Sequence, residues 1–410
     1  MVNYETIMLP NGLEVIVHPD RNTSIAVINI LYDVGARDES PEKTGFAHLF
    51  EHLMFGGSIH IPDFDGALQR VGGENNAFTS SDITNYYLTI PSNNIETGFW
   101  LESDRMLGLS FDPKVLEVQR KVVIEEFKQR YLNRPYGDVW HKLRPLAYQD
   151  HPYRWPVIGE KISHIEEATM EDVKAFYNAH YVPERAKMVI AGDVDVDKAF
   201  ALSEKWFGDI KKRSGYKRDI PVEEEQSERR FLEVTSDVPH DALYKTFHMP
   251  GRFDERYYAA DLLSDIMGRG NSSRLYERLV KDKRLFTSIS AYVLASFDPG
   301  LLVISGMLAP GVELEKAEDA VDEILYGKLE VGQMELEKVV NKSLASHEFS
   351  KVEVLDRAMA LASGAVGGFQ NLVNEEARFI KSVTREEIKD IAQTILRKEN
   401  ESTLYYKRQK

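Results

Sequence analysis

IEEATMEDVKAFYNAHYVPERAKMVIAG, residues 165–192, aligns without a gap on IKSVTREEIKDIAQTILRKENESTLYYK, residues 380–407. Thr169 meets Thr384, Asp172 meets Glu387, Val173 meets Ile388 and Val189 meets Leu404. In each copy a Thr stands where a helix would begin, with an acid three positions on. The hydroxyl can then accept the third N–H of the helix while the carboxylate accepts the N–H of the Thr itself. A helical apolar period follows, and after it a strand-like run. The offset is 215 residues, about half of the 410-residue chain. A match at that spacing predicts a duplicated architecture of two similar α+β halves. Between the halves lies KKRSGYKRDIPVEEEQSERR, residues 211–230, polar, charged and broken by Gly and Pro, which reads as a linker. The expected organisation is a first domain over 1–210, a linker over 211–230 and a second, homologous domain over 231–410.

A chain of this length exceeds one ordinary domain, and 43% apolar with 29% charged residues leaves material for sizeable cores. LEVIVHP at 13–19 and IAVINILYDVG at 25–35 read as strands, and helical patterns follow at 42–55, 96–108, 113–130, 170–180 and 196–207. No window approaches eighteen uninterrupted apolar residues, so no membrane span is expected. The chain has no Cys, which excludes disulfides and thiolate catalysis. The opening MVNYETIMLPNGLEVIV lacks the basic start and apolar stretch of a secretory leader. A cytoplasmic location is expected, or a periplasmic one where a leader has been removed. The formal charge of −15, with no basic stripe, argues against nucleic acid and reads most simply as solubility.

GFAHLFEHLMFG, residues 45–56, carries the chemistry. His48 and His52 stand four apart, on one helical face about a turn from each other, so both imidazoles can reach one ion. Two nitrogen donors suit zinc. Glu51 precedes the second His by one position, which sets its carboxylate beside the metal rather than on it. There it can accept a proton from a water that attacks a carbonyl. Chance places H-x-x-E-H in ~0.03 of chains of this composition, so the motif has weight. The intervening Phe46, Leu49, Phe50, Leu53 and Met54 are apolar, and buried imidazoles beside a carboxylate need a strong partner. A catalytic zinc usually takes three protein ligands and leaves one position for water. The helix DPKVLEVQRKVVIEEFKQR offers the third: Glu126 shares a face with Val122 and Val123, whereas Glu125 shares one with Lys121, Lys128 and Gln129. Glu126 is the expected ligand. His141, His151, His164 and His180 fall in polar or Pro-containing contexts and are expected to be ordinary surface or capping residues.

HLFEH with a carboxylate on a helix 74 residues later resembles the inverzincins, the pitrilysin or insulinase type of zinc peptidase, which includes mitochondrial processing peptidase. GGENNAFTSSDITNYYL at 72–88, QRKVVIEEF at 119–127, HPYRWPVIG at 151–159 and LLSDIMGRGNSSRLYERL at 262–279 agree with that family in order, across nearly the whole chain. The resemblance implies α+β domains with largely antiparallel sheets, one zinc ion in the first half only, and two half-size chains closing like a clamshell around a chamber. It also implies unfolded peptide substrates added as a strand along Asn76, Ala77, Phe78 and Thr79. Two positions depart from the pattern. Relatives commonly carry a Glu seven residues before the third ligand, where this chain has Gln119; the amide can still hydrogen-bond near the metal. Active members also carry an Arg and a Tyr, seven apart, that orient substrate and stabilise the oxyanion. The matching residues are Val280 and Thr287. A chain with intact ligands and no such pair is expected to work beside a homologous subunit that supplies it, as a heterodimer, with a homodimer as the alternative. The rival expectation is a non-catalytic scaffold subunit, against which the four intact metal-site residues argue.

Overall fold

The two copies of the repeat fold alike, and each helix, turn and strand in them begins 215 residues after its counterpart. A computed structural model describes residues 1–213 and 216–409. Met170–His180 and Arg385–Ile395 are both helices, and Thr169 and Thr384 close reciprocal caps with Asp172 and Glu387. A single turn, Pro183–Arg185 or Lys398–Asn400, then leads into the strand Ala186–Gly192 or Glu401–Arg408.

The first compact unit comprises Met1–Lys128, Trp155–Pro221 and Glu348–Glu375. Its sheet contains β1 (Glu5–Met8), β2 (Glu14–Pro19), β3 (Ile25–Tyr32), β4 (Glu74–Thr79), β5 (Thr84–Pro91) and β6 (Ala186–Gly192), in the order β1-β2-β6-β3-β5-β4. All neighbours are antiparallel except β2 and β6. β3 is central and almost wholly buried, which is why IAVINILY is continuously apolar apart from Asn29, whose amide oxygen accepts from Asn85. β4 closes the sheet as an edge strand with alternating exposure.

The second unit comprises Gln129–Arg154, Val222–His347 and Glu376–Lys410. Its strands β7 (Arg230–Ser236), β8 (Ala242–Met249), β9 (Phe286–Leu294), β10 (Gly300–Leu308) and β11 (Glu401–Arg408) run in the order β7-β11-β8-β10-β9. Here β7 and β11 are the parallel pair. Without β1, the first sheet matches the second strand for strand, parallel pair included. The expected α+β duplication is the observed fold.

The unit boundaries differ from a cut through a free linker. The expected linker includes Ser214 and Gly215, which lie outside the described residues. On one side of them Arg218 pairs with Asp33 and Asp38, which ties that stretch to the first unit. On the other, the Glu223 carboxylate accepts the N–H groups of Gln149, Asp150 and His151 within the second. Two helices also leave the half in which they are encoded. Val139–Ala147 packs on β7, β8 and β11, where Val139 and Leu143 join a core with Ala242, Tyr244 and Leu404. Val354–Val366 packs on β3 and β6, with Arg357 donating to His18 Nε2 at 3.0 Å and pairing with Asp20. Among the described residues no helix is long and apolar enough to cross a membrane.

Candidate metal centre

The helix Phe46–Leu53 is positioned by its start and its buried face. Gly45 precedes it at φ 89°, a left-handed conformation that favours glycine, and a Cβ there would lie 2.7 Å from the Ile158 carbonyl oxygen. In place of a side-chain cap on the neighbouring residue, the buried Glu39 carboxylate accepts from Gly45 N at 2.9 Å and Ala47 N at 2.8 Å. Burial pushes the Glu39 carboxyl up to about 8, against the pull of those two donors. Phe46, Ala47, Leu49, Phe50 and Leu53 are buried, and Phe50 stacks on Phe176 and Tyr181 with centroids 5.0 and 5.3 Å away. The remaining face presents His48, Glu51 and His52 together.

Glu126 meets them from the helix Pro113–Phe127, which starts with Asp112 accepting from Lys114 N and Pro113 in the first turn. Its Oε2 lies 3.6 Å from His48 Nε2 and 3.6 Å from His52 Nε2. Glu125 points away and pairs with Lys128 at 2.7 Å. Of the two valines that share the expected inward face with Glu126, Val123 is buried but Val122 is 44% exposed. The helix thus turns Glu126 obliquely inward, and its side chain keeps 18% of its surface. All three donor atoms lie within 4.8 Å of one another. Two donors bound tetrahedrally at about 2.1 Å stand about 3.4 Å apart, so the observed spacing fits three residues that would hold one zinc ion. Among the described residues no other His, Asp or Glu group brings three donors together so closely.

Glu51 lies beside this cluster, and Thr79 Oγ1 donates to its Oε2 at 2.6 Å. Thr79 ends β4, where Asn76, Ala77 and Phe78 also lie, so the expected substrate segment forms the open edge of the first sheet. Asn75-Asn76, which alone would read as a turn, is paired with Leu88 and Tyr87 in a strand. Ser80 N donates to Ile83 O at 2.8 Å and fixes the hairpin's bonded pairs. By the alternation of an antiparallel ladder, the main-chain groups of Asn75, Ala77 and Thr79 then face outward. Ala77 N takes the Asn76 side-chain oxygen at 2.8 Å in keeping with this. Gln119 lies two turns before Glu126, half-buried, with no side-chain hydrogen bond among the described residues.

Residues 14–160 match the family described as Insulinase (Peptidase family M16), and residues 167–343 match the Peptidase M16 inactive domain. The zinc protease PqqE of Helicobacter pylori is 32% identical over 346 residues, which cover 82% of this chain and 77% of that one. The chain belongs to the insulinase family of peptidases, M16. The crystal structure of a protease from Helicobacter pylori superposes with a TM-score of 0.92 at 27% identity, covering 99% of this chain and 100% of that one. A Pseudomonas fluorescens structure described as a peptidase M16 inactive domain has a TM-score of 0.88 at 16% identity, covering 100% and 98%, and that likeness is one of fold. His48, Glu51, His52 and Glu126 all fall inside the first M16 match; the inactive-domain match begins after them.

In the second M16 unit, Val280 packs partly buried against the core from the helical segment Tyr276–Asp282. Thr287 lies on β9, and its hydroxyl donates to the Met307 carbonyl at 3.2 Å. Neither side chain presents a free donor. The histidines set aside earlier take no part in the three-donor group, but two of them are not on the surface. His151 is 3% exposed, accepts from Tyr153 N at 3.1 Å and faces Asp298 at 3.3 Å. His180, also 3% exposed, lies between the rings of Phe176 and Tyr216, 4.4 and 4.3 Å away. Phe176 lies one turn earlier on the same helix, but Tyr216 comes from 36 residues on, a contact that no local pattern announces.

His180 sets a pH dependence. Burial lowers its pKa to about 4; Asp38 pulls it back up, while Arg185 and Arg218 add to the lowering. The folded chain therefore holds His180 neutral while the unfolded chain protonates near pH 6.5. The unfolded state binds the extra proton, so stability falls as pH drops from about 6.5 toward 4. The expected loss from this residue is about 2 kcal/mol between pH 7.5 and 5. Among the described residues its Nδ1 has no hydrogen-bond partner, so His180→Phe is expected to keep the ring contacts and remove most of that loss. Urea unfolding of both proteins at the two pH values measures it.

Proposed function

We propose that this M16 chain is a zinc-dependent endopeptidase subunit acting on unstructured peptides. The observation that carries the reading is the convergence of His48 and His52 Nε2 on Glu126 Oε2, 3.6 Å from each, with Glu51 one residue before His52. His48, His52 and Glu126 would hold the ion. Bound zinc supplies a Lewis acid that polarises a carbonyl and makes water more acidic. Glu51 accepts the proton of the attacking water on Oε1 and passes it to the leaving nitrogen. A substrate strand pairs with the outward main-chain groups of β4, which holds the scissile bond extended and independent of most side chains. The names of the relatives and the intact donor set support this reading over a scaffold role.

The same reading assigns a partner. With Val280 and Thr287 where donors are expected, the oxyanion-stabilising pair comes from a homologous subunit, in a heterodimer rather than a homodimer. The deciding experiment incubates the zinc-loaded chain with a quenched-fluorescent library of unstructured peptides. Cleavage that disappears on chelation and returns with zinc is the expected result. Zinc binding at one ion per chain without cleavage points to the missing subunit, whose addition then restores activity. A chain that binds no zinc ends the proposal.

A further inference from the structure

The hydrogen bond from Thr79 to Glu51 links the edge strand to the helix carrying the proton acceptor, which packs beside it. Thr79 stands at the end of β4 opposite Thr84, so main-chain pairing fixes its place. Its β-branched side chain has restricted χ1 freedom, so the hydroxyl is delivered from a fixed point. At 2.6 Å the bond has the length of a strong hydroxyl–carboxylate contact. The main-chain groups of Thr79 meanwhile turn outward, toward a strand that would add to this edge.

We propose that Thr79 is a positioning residue for Glu51. Its hydroxyl holds Oε2 and so fixes the direction in which the carboxylate is presented. A peptide aligned on the main chain of Thr79 is aligned against the proton acceptor through the same residue. Substrate register, through its main chain, and the direction of the carboxylate, through its hydroxyl, are thereby set by one residue rather than by two independent elements. The catalytic consequence rests on the peptidase reading; the structural one does not.

The test compares Thr79→Val, which keeps the branched shape and loses the hydroxyl, with Thr79→Ser, which keeps the hydroxyl. In the zinc-loaded chain with its partner subunit where one is needed, Thr79→Val is expected to lower kcat about 10- to 100-fold. KM and zinc content are expected to stay within about twofold, and Thr79→Ser to recover most of the rate. Crystal structures of both variants provide a readout independent of activity. The Glu51 carboxylate should leave its position or split between rotamers in the Val protein and stay fixed in the Ser protein. A Val variant with wild-type kcat and an unmoved Glu51 overturns the inference, as does a Ser variant no better than Val in both measurements. If the wild type cleaves nothing, the peptidase reading falls, and the two structures still decide whether Thr79 positions Glu51.

Discussion

Changing Glu51 to Gln is expected to lower kcat by about 10²- to 10⁴-fold while the chain still binds one zinc ion and unfolds at an unchanged temperature. That factor corresponds to about 3–5 kcal/mol of barrier. The substitution is selective for a physical reason. Gln has the shape of Glu, and its amide oxygen can still accept from the Thr79 hydroxyl, so the contact between β4 and the metal-site helix survives. What it lacks is a basic oxygen to take a proton. Glu51 is also outside the three-donor group formed by His48, His52 and Glu126, so zinc affinity should barely move. Glu126→Gln is expected to behave oppositely, losing activity through loss of metal. Metal analysis, thermal unfolding and steady-state rates on the same preparations separate the two. A Glu51→Gln protein cleaving at the wild-type rate would remove Glu51 from the chemistry.

The parts of this architecture that sequence makes legible are those fixed by short spacings. His48 and His52 are four apart on a helix, and that spacing already brings both to one side of it. The capped repeats at Thr169 and Thr384 carry their own geometry, so the duplication and its register follow from residues within a few positions. Glu126, chosen over Glu125 for its place beside Val123, is the one of the two that lies near His48 and His52, although Val122 is 44% exposed. Pairings between distant elements are hidden. An amphipathic helix announces that it will be buried but not against which sheet, so nothing local in Val139–Ala147 or Val354–Val366 shows that each packs outside the half that encodes it. Thr79 and Glu51 are 28 residues apart, and nothing in NNAFT indicates a bond to the other helix. Buried charge is harder still, because a charged residue in sequence reads as surface.

Arg105 is the case with the largest structural consequence, and Arg105→Met is expected to cost about 3–5 kcal/mol of stability in the first unit. Arg105 is 1% exposed on the helix Ile95–Leu107, one turn from Glu102, which is equally buried. Arg105 Nη2 lies 2.6 Å from both Glu102 oxygens, and the guanidinium carbon lies 4.5–5.2 Å from the rings of Phe55, Phe64 and Tyr86. The cation is thus held by one carboxylate and three π faces, each ring contributing about 0.5–2 kcal/mol. Removing it leaves Glu102 buried with no opposite charge. Burial already raises the Glu102 pKa, with Arg105 opposing that shift. Without Arg105 the carboxyl should rise further and take up a proton that the unfolded chain, near its ordinary value, does not hold. The folded variant then binds more protons than the unfolded one above about pH 4.5, so its stability falls as pH rises. Calorimetry at pH 5 and pH 8 should find the Arg105→Met penalty smaller at the lower pH. Replacing Glu102 by Met as well removes the stranded charge, and the double variant should be more stable than Arg105→Met alone, by about 1–4 kcal/mol. A double variant no more stable than the single one would mean that Glu102 is not a costly stranded charge once Arg105 is gone.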